Sequence, residues 1–224
     1  DLALPSGLTS IGKKAFSGAK LKGNLVIPSS VAFMGDSAFQ SAYADTDKSN
    51  MGMLSFENGS KLTSIPAYAF DKCLAFKGSI VIPEGVTSIG QYAFEKCSGM
   101  DGTLSLPSGL ETIGNYAFSE CSKLTGGITL PDTLTQLGTY TFNKCSNING
   151  ELVLSKNLKN IPQAAFSNCS SMIGSVDIPE GVQKINANAF QGCSSLNGTL
   201  TIPETVDTIG AYAFDQCSLL TGTL

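Results

Sequence analysis

The sequence predicts a solenoid: one coil repeated along the chain, built of short parallel strands joined by tight turns. Three observations predict it. First, a phenylalanine preceded by Ala or Thr recurs at Phe16, Phe39, Phe70, Phe94, Phe118, Phe142, Phe166, Phe190 and Phe214, in steps of 23, 31 and then 24 six times over. Second, Gly, Pro and Cys hold fixed places around each Phe, in a unit close to Gly-x-Leu-x-Ile-Pro-x-x-Val-x-x-Ile-Gly-x-x-Ala-Phe-x-x-Cys. Third, each unit opens on a period-two apolar segment, the mark of a strand with one buried face. Self-similarity at a period of 20 to 50 residues is the signature of stacked coils. About nine rungs at ~4.8 Å each predict a body roughly 40 Å long.

The first element of each rung is the Leu-x-Ile strand. Ile80 and Ile82 point inward and are matched by Leu104/Leu106, Ile128/Leu130, Leu152/Leu154, Val176/Ile178 and Leu200/Ile202. Proline follows at Pro83, Pro107, Pro131, Pro179 and Pro203, and ends the strand because it has no N–H for the ladder. Neighbouring strands must be parallel, since equivalent points recur once per coil. The second apolar segment, Val-x-x-Ile-Gly, predicts a second short strand or an extended turn. Its glycine suits a corner with positive φ, although Pro66, Pro162 and Asn186 stand there in three rungs. Ala93, Phe94 and Cys97 then have a spacing that fits one short helical turn. The Phe is expected to plug the core between coils.

The 31-residue step carries seven extra residues. Gly52, Leu54 and Phe56 still trace the strand, so about five of them fall in 42–50 and two in 57–61. Both stretches are polar, as loops on a solenoid surface are. The chain 1–224 is expected to form a single solenoid with this insertion and with incomplete ends.

The seven cysteines, Cys73 to Cys217, all sit three residues after the repeat Phe, with Ala19 and Ala42 in the first two rungs. Alanine replaces a small buried thiol well and a ligand or nucleophile badly. An odd count forbids complete pairing, and sulfurs in a line make a poor tetrahedral cage. Buried free thiols are expected.

Composition narrows the function. The 224 residues are 42% hydrophobic and only 14% charged, with a formal charge of −4, no His and no Trp. Without His, His-based triads and metal–His sites are excluded. There is no basic footprint for nucleic acid. No apolar run approaches the roughly 18 residues of a membrane helix, so no direct membrane insertion is expected of this segment. No phosphate loop, G-x-S-x-G or dinucleotide fingerprint is present. Neither an enzyme nor a cofactor is expected.

The remaining candidates form possible partner surfaces. Tyr43, Asp45 and Asp47 lie in the least repetitive stretch. Tyr68, Tyr92, Tyr116 and Tyr140 share the place two before Phe, and Tyr is favoured at interfaces. Val81, Thr129, Val153 and Thr201 are outward strand residues on a mildly apolar, hydroxyl-rich face. Solenoids bind along such extended surfaces. Glu84, Asp132, Glu180 and Glu204 follow the strands and read as a solvated rim.

The segments IPEGVTSIGQYAFEKCSGM and IPETVDTIGAYAFDQCSLL resemble the BspA-like, or Treponema-type, leucine-rich repeats, and the resemblance spans essentially the whole chain. It implies a leucine-rich-repeat solenoid. It also implies a cell-surface or secreted protein of bacterial type, serving in adhesion or protein binding, with no shared catalytic residues. The implied partner is a protein, such as a host matrix or cell-surface protein. Two alternatives stand beside it: a structural spacer that displays another domain, and a carboxylate-dependent hydrolase.

Overall fold

A computed structural model of the chain describes residues 2–47 and 50–222. Those residues form a progression of parallel two- to five-residue strands and turns, with no α-helix among them. Every strand pair is parallel. The nine repeat phenylalanines stack in one continuous column. Successive ring centroids lie 5.0 to 5.7 Å apart, with planes within 17°. From Phe39 to Phe190 the rings are wholly or almost wholly buried.

The segment around each Phe is not the helical turn that its spacing predicts. Tyr92 and Lys96 have left-handed φ of 57° and 58°, and the equivalent residues do so in every rung. The odd-numbered amides of this segment close tight turns, as Ala93 N–H does on Gly90 C=O and Cys97 N–H on Phe94 C=O. The alternate amides point along the solenoid axis. Tyr92, Phe94 and Lys96 donate to the carbonyls of Asn115, Ala117 and Ser119 in the next rung, at 2.8–2.9 Å. Left-handed residues turn those N–H groups out of the coil, which a helix could not do. This ladder runs without a gap from Phe16 to Phe190.

The cysteines reinforce the same spine. Each Sγ–H donates to the carbonyl of the Phe in the preceding rung, at 3.0–3.1 Å, from Cys73 on Phe39 to Cys217 on Phe190. The thiols are free, six buried and Cys217 half-buried. Burial pushes Cys73, Cys121 and Cys169 up to about 12 and raises the others.

The second strand is confirmed, but the role of its glycine differs from the expected left-handed corner. Gly90 and Gly114 do not have positive φ. A Cβ on Gly90 would lie 2.5 Å from the Ala67 nitrogen, and one on Gly114 2.5 Å from that of Gln91. Glycine is there because the backbones of adjacent rungs almost touch; the left-handed corner comes two residues later, at the Tyr position.

This second ladder is broken at two points. Ser10–Ile11 pairs with Phe33–Met34; Ser64–Ile65, Ser88–Ile89, Thr112–Ile113 and Gln136–Leu137 form a second set; Asn160–Ile161, Lys184–Ile185 and Thr208–Ile209 form a third. At Gly35, Gly90, Gly114, Asn186 and Gly210 the N–H of the residue after the strand bonds back to the preceding rung, as Gly90 does to Ile65 and Gly114 to Ile89. The two seams fall at Pro66 and Pro162, which have no N–H to give.

The first strands divide differently. They pair in twos: Leu25–Ile27 with Gly52–Phe56, Ile80–Val81 with Leu104–Ser105, Ile128–Thr129 with Leu152–Val153, and Val176–Asp177 with Leu200–Thr201. Among the described residues no ladder joins the second member of one pair to the first member of the next. Phe76–Lys77 reaches across onto Gly52 and Met53, and single bridges join Leu2 to Leu25 and Thr103 to Thr125. The repeat on this face is therefore two rungs, about 48 residues. Gly23, Gly78, Gly126 and Gly174 have positive φ, and the equivalent Gly52, Gly102, Gly150 and Gly198 of the alternate rungs do not. In three of these rungs an Asx side chain from the next rung caps the glycine N–H: Asp101 on Gly78 at 2.7 Å, Asn149 on Gly126 at 2.8 Å and Asn197 on Gly174 at 3.1 Å.

Candidate functional site

Three surfaces carry the residues that the sequence nominates, and the structure keeps them apart. Leu25 pairs with Leu54, a step five residues over the usual 24. Lys48 and Ser49 lie outside the described residues. Tyr43 does not belong to a contact surface: it is fully buried and packs on Phe76 with ring centroids 4.4 Å apart. The insertion folds its first residues back over the coil, and desolvation raises the Tyr43 phenol to about 12. Its hydroxyl and Asp71 Oδ1 are buried without a hydrogen-bond partner among the described residues. Asp45 and Asp47 are exposed. Asp45 is committed within its own loop, accepting from the Asp47 amide at 2.9 Å and the Asn50 side chain at 2.8 Å.

The tyrosines Tyr68, Tyr92, Tyr116 and Tyr140 form a half-exposed ladder with ring centroids 4.8 Å apart and planes within 11°. Face-to-face stacking consumes the ring faces, so the ladder shows solvent its edges. Desolvation, followed by the neighbouring phenols, raises Tyr92. Gln163 donates to the Tyr140 hydroxyl at 3.3 Å. Stacking thus takes both faces of Tyr92 and Tyr116 and one face each of Tyr68 and Tyr140.

The outward first-strand face is different. Val81, Thr129, Val153 and Thr201 are exposed there, joined by Val26 and Met53. Because the strands pair in twos, this face is cut by fissures between pairs. Leu104 and Leu106, at the edge of one fissure, are only half-buried, whereas Ile80 and Ile82 in the same pair are fully buried. A cleft of about 430 Å³ lies between Val153 and Asp177. A second, of about 500 Å³, lies between the Gly52–Phe56 strand and Val81, walled by the bulge at Asn58–Ser60. The sequence reading of a 24-residue unit missed these fissures. Their signal is legible: Asx precedes glycine at Asp101, Asn149 and Asn197, every 48 residues, and β-branched Ile80 and Val176 alternate with Leu104 and Leu200.

Among the described residues no group of three or more His, Cys, Asp or Glu could hold a metal ion. No described helix is long and apolar enough to cross a membrane.

The repeat sequence matches a known family profile, the BspA type leucine rich repeat region. That profile matches in six copies, over residues 1–98 and 63–197. The chain belongs to the BspA-type leucine-rich-repeat family. Solved structures agree on the architecture of this BspA-type chain. It is similar to a Treponema pallidum leucine rich repeat protein at 25% identity and a TM-score of 0.53, covering 97% of this chain and 76% of that one. A leucine rich cell surface protein from Faecalibacterium prausnitzii is similar at 21% identity and a TM-score of 0.51, covering 96% of this chain and 82% of that one. A leucine-rich repeat protein from Eubacterium ventriosum is similar at 20% identity and a TM-score of 0.57, covering 96% of this chain and 64% of that one. No curated protein sequence matches the chain.

Proposed function

We propose that this chain is a protein-binding module displayed at a bacterial cell surface or secreted, acting in adhesion and without catalysis of its own. One observation carries the binding reading: an outward sheet face that leaves Val26, Met53, Val81 and Val153 between 43% and 62% exposed on a rigid stacked core. Exposed apolar residues gathered on one face of a folded protein favour a partner. The family, together with the cell-surface description of the Faecalibacterium prausnitzii protein, supports surface display. The partner class that fits is a protein of the extracellular matrix or of another cell surface.

The test is immobilisation of the purified chain against a panel of matrix and cell-surface proteins. Saturable capture of at least one panel member, abolished by Val81→Lys with Val153→Lys while circular dichroism is unchanged, is the expected result. Capture of none would make the chain a rigid spacer.

A further inference from the structure

Three asparagines in this chain precede glycine: Asn58, Asn149 and Asn197. The pair has a chemistry of its own. The backbone nitrogen that follows an asparagine can attack its side-chain amide carbon, and a glycine, with no Cβ, hinders the approach least. All three asparagines are exposed, so access to water does not tell them apart.

Hydrogen bonding does. Asn149 and Asn197 cap positive-φ glycines of the preceding rung, with Oδ1 accepting from Gly126 N–H at 2.8 Å and from Gly174 N–H at 3.1 Å. The nitrogens that would attack are held as well. Gly150 N–H donates to the Gly126 carbonyl at 2.9 Å, and Gly198 N–H to the Gly174 carbonyl at 3.0 Å. Both glycines press on that rung: a Cβ on Gly150 would lie 2.5 Å from the Gly127 nitrogen, and one on Gly198 2.4 Å from Ser175 Oγ. In each pair both reacting groups are fastened to another coil.

Asn58 and Gly59 are held by none of this. They lie in the bulge after the Gly52–Phe56 strand. The bulge is pinned at its two ends, by Glu57 N–H on the Ile27 carbonyl at 3.0 Å and by Lys61 N–H on the Ser29 carbonyl at 3.1 Å. Between the pins, neither the Asn58 side chain nor the Gly59 N–H has a hydrogen-bond partner among the described residues. A Cβ on Gly59 would meet nothing within 4 Å.

We propose that Asn58 is a site of spontaneous covalent modification, converted in the folded chain to a mixture of aspartate and isoaspartate. The Gly59 nitrogen forms a bond to Asn58 Cγ. The Cγ–Nδ2 bond breaks, and Nδ2 leaves as ammonia with the proton of the Gly59 amide. The product is a succinimide ring, which water opens. Addition of water at Cγ breaks the new bond and gives aspartate. Addition at the backbone carbonyl carbon breaks the original peptide bond and leaves the chain running through Cβ and Cγ, as isoaspartate. Nothing is oxidised or reduced, and water is the one co-reactant. The new carboxylate lies in the cleft wall that already holds Glu57 and Glu84, so this surface grows more acidic with age. The modification is independent of the protein-binding reading.

The test is to incubate the intact chain at mildly alkaline pH and body temperature over days. Peptide mass spectrometry follows the three sites, with electron-transfer fragmentation to separate isoaspartate from aspartate. In the folded chain Asn58 is expected to convert at least about tenfold faster than Asn149 or Asn197, because those two must first open their inter-rung bonds. In guanidinium chloride at the same pH the three rates should converge. Asn58→Gln should remove the acidic shift of the aged folded chain in isoelectric focusing. Conversion of Asn149 or Asn197 as fast as Asn58 in the folded chain would overturn the proposal. So would aspartate formed without isoaspartate, which would mean direct hydrolysis with no ring. A rate difference that persists in the denaturant would assign the selectivity to local sequence and overturn its structural cause. An acidic shift undiminished in Asn58→Gln would place the modification elsewhere and overturn the proposal too.

Discussion

At the scale of single residues, the left-handed positions decide how a rung is built. A non-glycine residue in that region costs roughly 1–2 kcal/mol, and the chain accepts the cost twice per rung. It is lightened where Gly18, Gly192 and Asn168 occupy the second of the two places. Lys144 sits there with φ 59°, and its contact with Glu120, 3.5 Å between exposed side chains, is worth little. Lys144→Gly is therefore expected to stabilise the fold by about 0.5–1 kcal/mol, read as a raised midpoint in urea. Lys144→Ala should give no such gain. The sequence names this segment correctly but not its conformation. Ala93, Phe94 and Cys97 share a helical spacing, while the inter-rung bonds that defeat a helix depend on a neighbour 23 residues away. Tyr43 misleads for a related reason. A polar insertion reads as exposed, yet its one aromatic residue finds Phe76 and is buried.

At the scale of elements, three strips of the coil stack with different continuity. The Phe–Cys strip is unbroken, the second strands are interrupted at two prolines, and the first strands are interrupted at every second rung. Pro162→Gly should supply the missing N–H for the Leu137 carbonyl. In amide hydrogen exchange the new residue-162 amide should then be protected to the level of Gly114. Exchange at the rate of an unfolded chain would show that the seam has another cause. Strand positions and their parallel order were legible, because each rests on a pattern within one unit. The pairing in twos was not read, although Asp101, Asn149 and Asn197 announce it. An average unit erases any alternation between units. The candidate site shared that fate: Val81 and Val153 were visible as outward residues, but the clefts beside them exist only because the sheet divides.

At the scale of the whole molecule, the buried thiols tie stability to alkaline pH. A cysteine in the unfolded chain ionises near 9, while in the folded chain burial holds Cys73, Cys121 and Cys169 near 12 and raises Cys97, Cys145 and Cys193. The folded state thus keeps protons that the unfolded state loses. The contribution is complete below pH 9 and falls away as pH rises toward 12, by up to about 1.4 kcal/mol per pH unit for each thiol. Urea midpoints measured across this range should drop steeply above pH 9. In a variant with all six changed to Ala, the slope should be shallower even if the starting stability is lower. A midpoint as steep in that variant would place the alkaline loss elsewhere.

The seams at Pro66 and Pro162 have a mechanical consequence. At these two points the second strip is missing but the first strands are paired, whereas each fissure between first-strand pairs is crossed by paired second strands. The gaps thus alternate between two sides of the coil, so load applied across the long axis would be spread over many small joints and gathered at none of them.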